Sequence, residues 1–303
     1  MFPDYYNLSV LFDENQKLIE ESTSTWVNQF VRPVIDSAFN DSKSLSLVKE
    51  LAELGAFGLI IPEKYGGLGF DFVSFGLMMK ELEKGDSSVR VVSSIQTSLV
   101  MYSIYKYGNE EQKRKYLPRL ASGEILGSFA MSEPSHGSDI SNMRTKFEIR
   151  DEKIVILGSK LWIGNASKAD ISIVWAKNSN DKVQAIVVET KNITNFKSTL
   201  IEGKMSFRSS HTGELFFDSS IVSKDQLLEK TKSIKDAYEC LNIGRYAVAW
   251  GSLGIAEECY NIALKYSKER EQFGKPIAGK QLIQKKLVDM ITAVSYTHLT
   301  LPT

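Results

Sequence analysis

The chain has 303 residues, and its 37 lysine and arginine residues balance its 37 aspartate and glutamate residues, so the formal net charge is zero. This balance argues against a nucleic-acid-binding protein, which normally carries a basic excess. No apolar stretch approaches the roughly 20 residues of a membrane-spanning helix. The two cysteines give neither a disulfide framework nor a metal-ligand spacing, so we expect no metal site.

The N-terminal sequence MFPDYYNLSV does not resemble a targeting segment. It lacks the basic start and apolar block of a signal peptide, and it lacks the arginine- and serine-rich composition of a transit peptide. We therefore expect a cytoplasmic protein, or a protein of the mitochondrial matrix if the source is eukaryotic.

Residues 1–122 have the periodicity of a helical domain. Apolar residues recur at helical spacing over 18–31 and 47–54, and a glycine-rich loop (YGGLG) follows at 65–69. A further helix should stop at Gly85, where Asp86, Ser87 and Ser88 are candidate N-caps for the next helix, and Asn109 should cap another.

The pattern changes to β-strands over residues 123–228 and returns to helices over residues 229–294. In the middle region short apolar runs alternate with turns, as in KFEI, IVIL, ISIVWA, VQAIVV and GELFF. A long helix should then run through AYECLNIGRYAVAWGSLGIAEECY, and another through QLIQKKLVDMITAV. The predicted fold class is therefore α+β, with a helical domain, a β-barrel or β-sandwich domain and the start of a second helical domain.

Residues 295–303 (SYTHLTLPT) interrupt the amphipathic spacing of the last helix, and their threonines and proline disfavour its continuation. We expect the helix to stop before them, the final helical domain to be incomplete, and this tail to be foreign to the native protein.

Two segments have the composition of a binding site. AMSEPSHGSD (130–139) combines small and hydroxylated residues around Gly137, and the backbone N–H groups of such a segment can approach an anionic or planar ligand closely. By its residues alone, a polar turn is the simpler interpretation. The tryptophans of KLWIGNASKAD (160–170) and ISIVWA are core residues by default.

Five segments carry a family resemblance when they are read in order: YGGLG, AMSEPSHGSD, KLWIGNASKAD, FRSSHTGEL and KEREQFGKPIAGKQLIQ. Together they resemble the acyl-CoA dehydrogenase family, over about residues 5–294. Within that family, the segment around Arg90, the stretch CLNIGRYAVAWGSLGIAEECY and QLIQKKLVDM are most similar to the glutaryl-CoA dehydrogenases. The resemblance implies the acyl-CoA dehydrogenase fold, with a helical bundle after the β domain.

The resemblance also implies that the protein binds FAD. Residues of the first binding segment would line the flavin and approach the pyrophosphate and the CoA arm, and residues of the second would form the other flavin wall: Phe129, Met131, Ser132, Gly137 and Ser138, then Trp162, Ile163 and Gly164. The family usually has threonine or serine where Gly164 stands, which removes one expected hydrogen bond.

Three further residues match positions that reach the FAD of a neighbouring subunit, namely Arg270, Phe273 and Gln281. They imply a homo-oligomer, most simply a tetramer. Arg270 carries the charge that suits a pyrophosphate. Without the family match, it is equally compatible with a solvated charge at a helix end.

The substrate side depends on Arg90, which by its residues alone is compatible with a surface position. In glutaryl-CoA dehydrogenases the matching arginine meets the distal carboxylate of the substrate, for which two parallel hydrogen bonds from a guanidinium are suited. Val91 departs from the serine that is usual there. The resemblance implies further substrate-binding residues at Ser94, Ser138, Tyr238, Leu241, Asn242 and Arg245.

The implied reaction is α,β-dehydrogenation of an acyl-CoA thioester, and for glutaryl-CoA it is oxidative decarboxylation to crotonyl-CoA. A carboxylate removes the α-proton, the flavin accepts a hydride, and electrons pass to an electron-transfer flavoprotein. In most of the family the glutamate base lies beyond the last residue of this sequence, and Gly244 occupies the position that a minority uses. We therefore expect no catalytic residue in these 303 residues, and no turnover by them.

Three other functions stay open at this point. The first is a short-chain acyl-CoA dehydrogenase without decarboxylation, which Arg90 argues against. The second is a non-catalytic protein that binds flavin and acyl-CoA, which the missing base favours only if the chain is complete. The third is a relative of the flavin-dependent monooxygenases, which Arg90 and QLIQKKLVDM argue against.

Overall fold

The computed structural model describes residues 3–34, 46–191 and 193–297. Its N-terminal region contains the α-helices α1 (Glu14–Trp26), α2 (Val48–Glu53), α3 (Phe72–Gly85), α4 (Ser87–Ser94), α5 (Tyr102–Tyr107) and α6 (Glu110–Ala121). A π-helical segment (Ile95–Met101) joins α4 to α5 without a break, and another (Val27–Val31) extends α1. Because π-helical turns are frequent at functional sites, the segment Ile95–Met101 is of particular interest.

The helix boundaries follow the predicted caps. Helix α3 ends at Gly85, and the Asp86 carboxylate accepts hydrogen bonds from the N–H groups of Ser88 and Val89 at the start of α4. Asn109 forms a reciprocal capping box with Gln112 at the start of α6. These side chains satisfy N–H groups that have no partner within the helix, so the predicted helix starts are confirmed.

Within the described residues, seven strands form one sheet: β1 (Gly127–Ala130), β2 (Lys146–Arg150), β3 (Lys153–Ile163), β4 (Ile171–Lys177), β5 (Val183–Glu189), β6 (Phe196–Leu200) and β7 (Gly213–Ser223). Their order is β1-β4-β2-β3-β7-β6, and β5 pairs with the other edge of β4. The sheet therefore branches at β4, whose residues are buried from Ile171 to Ala176. The strand predictions for the middle region are confirmed for β2, β3, β4, β5 and β7.

Strands β1 and β2 share one edge of β4. Strand β1 runs parallel to β4 from the pair Gly127↔Ile171 onwards, whereas β2 meets β4 only at Lys146↔Lys177. Segment 131–145 therefore leaves the sheet between two strands that lie along the same edge. This excursion contains most of AMSEPSHGSD.

The C-terminal region consists of α7 (Ile234–Glu269), a hairpin of β8 (Glu271–Gln272) and β9 (Lys275–Pro276), and α8 (Gln281–Thr297). The expectation that the last helix stops before residue 295 is wrong, because α8 continues to Thr297. The side chain of Val294 is buried, and the low helix propensities of the next residues cost only tenths of a kcal/mol each. The rest of the predicted tail, 298–303, lies outside the described residues.

One apolar cluster joins all three regions of the chain. It contains Ile104 of α5, Trp175 of β4 and Cys240 of α7, each fully buried. A second cluster joins α1 and α3 to α7, and a third lies within the sheet. The helical and β regions therefore share a core along the side of the sheet where β1 and β4 lie.

Candidate cofactor and substrate site

Ser132 ties the AMSEPSHGSD segment to strand β3. Its Oγ donates to the carbonyl of Leu161 at 2.6 Å, and the N–H of Leu161 donates to the carbonyl of Ser132 at 2.9 Å. The next residue after Leu161 is Trp162. The structure therefore brings together the two segments that the sequence assigns to the two flavin walls.

Phe129 and Met131 lie at the C-terminal end of β1 and just after it. Both side chains are buried in the shared core, and the Phe129 ring lies 6.0 Å from that of Trp175. Their side chains are therefore committed to packing. The Met131 carbonyl accepts a hydrogen bond from Nζ of Lys160 at 3.0 Å.

Trp162 combines two features that are unusual for a large aromatic residue. Its φ of 63° lies in the left-handed region, at an irregularity in the pairing of β3 with β7, and its side chain is 60% exposed. Backbone strain at a bulky residue is found mainly where function requires it. Trp175 of ISIVWA is a core residue as expected, but the same expectation is wrong for Trp162, whose ring is available to a planar ligand.

The residues after Trp162 face in different directions. Ile163 is buried in the core of the sheet. At Gly164 an added Cβ would lie 2.3 Å from Cδ1 of Ile95, in the π-helical segment. The space that a threonine or serine would occupy is therefore filled by Ile95.

Gly137 and Ser138 lie in the exposed part of the excursion. Nothing lies within 4 Å of a Cβ added to Gly137. The loop is held instead by reciprocal backbone hydrogen bonds between Glu133 and His136, at 3.1 and 3.2 Å. The space beside Gly137 is therefore open to an anionic group.

A buried ion pair that sequence reading missed lies under this loop. The Lys160 ammonium is fully buried and donates to Oε1 of Glu133 and to the carbonyl of Met131, each at 3.0 Å. Burial lowers the pKa of Lys160 to about 8, although Glu133 opposes this. Burial raises the pKa of Glu133, but the Lys160 charge and the Arg144 N–H hold it below its usual value.

The π-helical segment connects the flavin side to helix α7. Ile95 packs at Gly164, and a Cβ added at Gly244 of α7 would lie 3.7 Å from the Ser98 Oγ. The Ser98 Oγ donates to the carbonyl of Ser94 at 2.6 Å, and the two hydroxyls are 3.4 Å apart. Ser94 therefore lies with Ser98 beside α7, and Gly244 offers no carboxylate there.

Arg90 lies one turn before Ser94 and is only 5% exposed, so the surface interpretation is wrong. Its Nε forms an ion pair with Oε2 of Glu83, and a Cβ added at Gly251 would be 3.2 Å from the same nitrogen. Gly244 faces Ser98 and Gly251 faces Arg90, so α7 runs antiparallel to α4 and the π-helical segment. These facing residues form a line of contacts between the two helices. The guanidinium of Arg90 is buried at the Gly251 end of this line of contacts.

The predicted substrate residues on α7 separate into two groups. Tyr238 and Leu241 are partly buried and pack against the shared core. Asn242 and Arg245 are exposed and bonded to each other, with Nη1 of Arg245 donating to Oδ1 of Asn242 at 2.8 Å. Among the described residues, no hydrogen bond links any of these four side chains to Ser94 or Ser98.

Arg270, Phe273 and Gln281 flank or occupy the hairpin between α7 and α8. Arg270 is exposed at the end of α7, as the helix-end interpretation expected, and Gln281 begins α8. Phe273 is 93% exposed in a turn with a φ of 57°. No hydrogen bond among the described residues links this hairpin to AMSEPSHGSD.

Within the described residues, no cluster of histidine, cysteine and acidic side chains could hold a metal ion. The helices of the same residues include none with the length and apolarity needed to cross a membrane. The site is therefore built from peptide groups, hydroxyls, one exposed indole and buried ion pairs.

The fold and these segments define a family. The chain matches three descriptions in order: acyl-CoA dehydrogenase N-terminal domain over residues 13–124, middle domain over 128–220, and C-terminal domain over 234–301. It therefore belongs to the acyl-CoA dehydrogenase family, and the predicted resemblance and fold are confirmed.

Curated relatives within the family differ in substrate. The chain is 40% identical to an acyl-CoA dehydrogenase of Bacillus subtilis (strain 168), covering 86% of this chain and 70% of the relative. It is 34% identical to the glutaryl-CoA dehydrogenase of Desulfococcus multivorans, covering 97% and 77%. It is 33% identical to a mitochondrial isovaleryl-CoA dehydrogenase of Oryza sativa subsp. japonica, covering 94% and 72%.

A solved structure gives the same assignment. Glutaryl-CoA dehydrogenase of Mycobacterium smegmatis in complex with FADH2 superimposes with a TM-score of 0.92 at 34% identity, covering 96% of this chain and 75% of that one. FAD, the cofactor that the sequence resemblance implied, is thus the cofactor of family neighbours. The exposed Trp162 ring, the open Gly137 loop and the tethered Ser132 fit such a group.

Proposed function

We propose that this protein binds FAD and a short acyl-CoA thioester for α,β-dehydrogenation, with glutaryl-CoA as substrate and crotonyl-CoA and carbon dioxide as products. Bound FAD supplies the hydride acceptor. Ser132, Gly137 and Ser138 would hold its polar groups, and Trp162 would cover its ring. The hydroxyls of Ser94 and Ser98 would lie on the substrate side.

The observation that carries the proposal is the line of contacts that runs from Gly164 to Arg90. It begins where Ile95 packs at the flavin wall and ends at a buried guanidinium. Ile95 and Arg90 are separated by about 7.5 Å of helix axis, which is of the order of a short diacid chain. An arginine at that distance can bind a distal carboxylate, which a monocarboxylic acyl group lacks.

The test is ligand binding to the FAD-loaded protein, followed by the perturbation of flavin absorbance. Arg90→Ala should weaken glutaryl-CoA binding by about 10- to 150-fold, the value of a charge-assisted hydrogen bond of about 1.5 to 3 kcal/mol. Binding of butyryl-CoA should change by less than about threefold, because it has no distal carboxylate.

Two controls separate recognition from structure. Arg150→Ala removes an exposed arginine of β2 and should change neither affinity. Arg90→Lys keeps a positive charge beside Glu83 but loses the guanidinium fork, so it should fold normally and still bind glutaryl-CoA weakly. Equal losses for both thioesters would assign Arg90 to the support of Glu83 alone and remove glutaryl-CoA from the proposal.

The second candidate is a short-chain acyl-CoA dehydrogenase without decarboxylation. It is supported by the ion pair that already occupies Arg90 and by the isovaleryl-CoA dehydrogenase among the relatives. Under this alternative the wild-type protein binds butyryl-CoA at least as tightly as glutaryl-CoA. In either case we propose an electron-transfer flavoprotein as electron acceptor and a homo-oligomer as the functional form.

A further inference from the structure

A charged side chain is buried near the end of β3, where an apolar side chain would cost less free energy. Lys160 is 0% exposed, and its Nζ lies 3.9 Å from Sδ of Met143. Desolvation of a buried ion pair can exceed the electrostatic gain, so such a pair is weak support for stability. A role other than stability is therefore the more economical explanation.

Glu133 fixes the position of this ammonium. Its carboxylate accepts hydrogen bonds from the N–H groups of Arg144 at 2.6 Å and Thr145 at 2.9 Å, in addition to the contact with Lys160. The pair thus connects both ends of the excursion 131–145 to strand β3. With its acceptors satisfied in this way, Glu133 holds Lys160 under one particular peptide.

That peptide is the one between Met131 and Ser132. Lys160 donates a hydrogen bond to the carbonyl of this peptide. The N–H of the peptide belongs to Ser132 and has no acceptor among the described residues. A peptide whose carbonyl accepts from an ammonium is polarised, and its N–H becomes a stronger donor. The Ser132 side chain and carbonyl are both occupied by Leu161, so the N–H is the group left for a ligand.

We propose that Lys160, held by Glu133, is a positioning residue that orients and polarises the Met131–Ser132 peptide, so that the Ser132 N–H binds the flavin of FAD as a strong hydrogen-bond donor. The inference rests on the FAD binding proposed above. Reduced flavin is more electron-rich than oxidised flavin, so a stronger donor favours the reduced form. Lys160 therefore raises both the affinity for FAD and its reduction potential.

The decisive variant is the double substitution Lys160→Met/Glu133→Gln, which removes both charges and leaves none unpaired. We expect the apoprotein to unfold at a temperature close to that of wild type or somewhat below it, because glutamine at position 133 keeps one acceptor oxygen for the two backbone N–H groups of Arg144 and Thr145. Affinity for FAD should fall about tenfold, the value of one charged hydrogen bond. The ratio of reduced to oxidised affinity should also fall about tenfold, which lowers the two-electron midpoint potential by about 30 mV.

A matched control is available in the helical region. Lys80 is also buried and pairs with Glu20, far along the chain from both flavin segments. Lys80→Met/Glu20→Gln should change thermal stability by a comparable amount and leave FAD affinity and potential unchanged. If wild type binds FAD and the Lys160 double variant matches it in affinity and potential, Lys160 is only structural. If wild type binds no FAD, the proposed function fails and this inference with it.

A pH titration gives a second readout that needs no loss of packing. FAD affinity of wild type should fall as the pH rises through about 8, where the Lys160 ammonium loses its proton. The charged group that faces this ammonium is Glu133, and Nδ1 of His136 lies 3.7 Å from Oε2 of Glu133. Lys160→Gln keeps an uncharged donor and should show no such step, whereas His136→Gln should retain it. A step that persists in Lys160→Gln overturns the proposal.

The same titration has a definite sign for stability. The unfolded chain holds the Lys160 proton up to the ordinary pKa of 10.5, whereas the folded chain releases it near 8. Between these values the unfolded state binds more protons. The free energy of unfolding of wild type, measured relative to Lys160→Gln, should therefore rise over this pH window.

Discussion

Two features that cost free energy, and one glycine with no room for a side chain, fall within five residues of the chain. Lys160 buries a charge, Trp162 holds a bulky side chain at a left-handed φ, and Gly164 abuts Ile95. Departures from ordinary backbone and packing preferences concentrate at functional sites. These departures support the proposal that the end of β3 is a binding element.

Gly164 and Ile95 should be energetically coupled. Gly164→Ser places a Cβ 2.3 Å from Cδ1 of Ile95, so we expect a loss of about 1–3 kcal/mol in the free energy of unfolding. Ile95→Val removes that Cδ1 atom and alone costs about 0.5–1.5 kcal/mol. Chemical denaturation of both single variants and the double variant measures the coupling.

The double variant should be more stable than the sum of the two single losses predicts, by about 1 kcal/mol. It would also carry a hydroxyl at the position where the family usually has one. Strict additivity of the two substitutions would show that Ile95 rotates away freely and does not fill the side-chain space at Gly164.

Sequence reading identified some of these residues and missed others for a physical reason. Trp162 and Gly164 lie within a contiguous motif, so they were found. The pairing of Lys160 with Glu133 joins two motifs that are distant in sequence, and neither residue type signals a buried partner. The burial of Arg90 was missed in the same way, since Glu83 and Gly251 supply its surroundings.

At the scale of elements, the contact between α3 and α7 depends on glycine. A Cβ added at Gly254 would lie 2.1 Å from the carbonyl oxygen of Lys80. That oxygen is backbone and cannot rotate away, so a larger residue must push the two helices apart. The line of contacts that carries Arg90 runs along the same helix.

Gly254→Ala should therefore lower the free energy of unfolding by about 1–3 kcal/mol or more, despite the better helix propensity of alanine. Gly279→Ala is the matched control, because nothing lies within 4 Å of its Cβ, and it should change stability by less than about 0.5 kcal/mol. Thermal unfolding of the two variants decides the point. Equal stability of both would show that α3 and α7 separate at little cost.

Element predictions succeeded where local signals are strong. Caps at Asp86 and Asn109 fix helix starts through hydrogen bonds made by the residues themselves. Strand β6 (Phe196–Leu200) was not predicted, because FKSTL has no marked alternation and pairs only along the edge of β7. The end of α8 was misplaced because packing of Val294 outweighs the weak propensity of the residues after it.

At the scale of the molecule, one face of α7 has no counterpart within the described residues. Its exposed apolar or thiol side chains are Val248, Ile255, Cys259, Ile262 and Tyr266, called here the α7 stripe. Their spacings of three, four and seven residues are those of a helix seam that packs against another helix. Together with the exposed Phe273, this stripe supports the proposed homo-oligomer.

Ile262→Asp should weaken the oligomer at least about tenfold, because an unpaired charge would be buried in place of an apolar side chain. Leu18→Asp, at an exposed position of α1, is the control and should leave assembly unchanged. Sedimentation measures both variants. Cys259 reports independently, since a thiol reagent should label it slowly in wild type and rapidly in Ile262→Asp. Identical sedimentation and labelling of the two variants would remove the α7 stripe from the interface.

Segment 131–145 begins and ends beside β4, so it can be exchanged as a unit for the matching segment of a relative. A graft from a relative would enter and leave at fixed register, Ala130↔Val174 and Lys146↔Lys177, so the sheet would not have to re-pair. One condition applies to any such graft. It must bring a carboxylate to position 133, because Lys160 belongs to the recipient scaffold and would otherwise be stranded without its counter-charge.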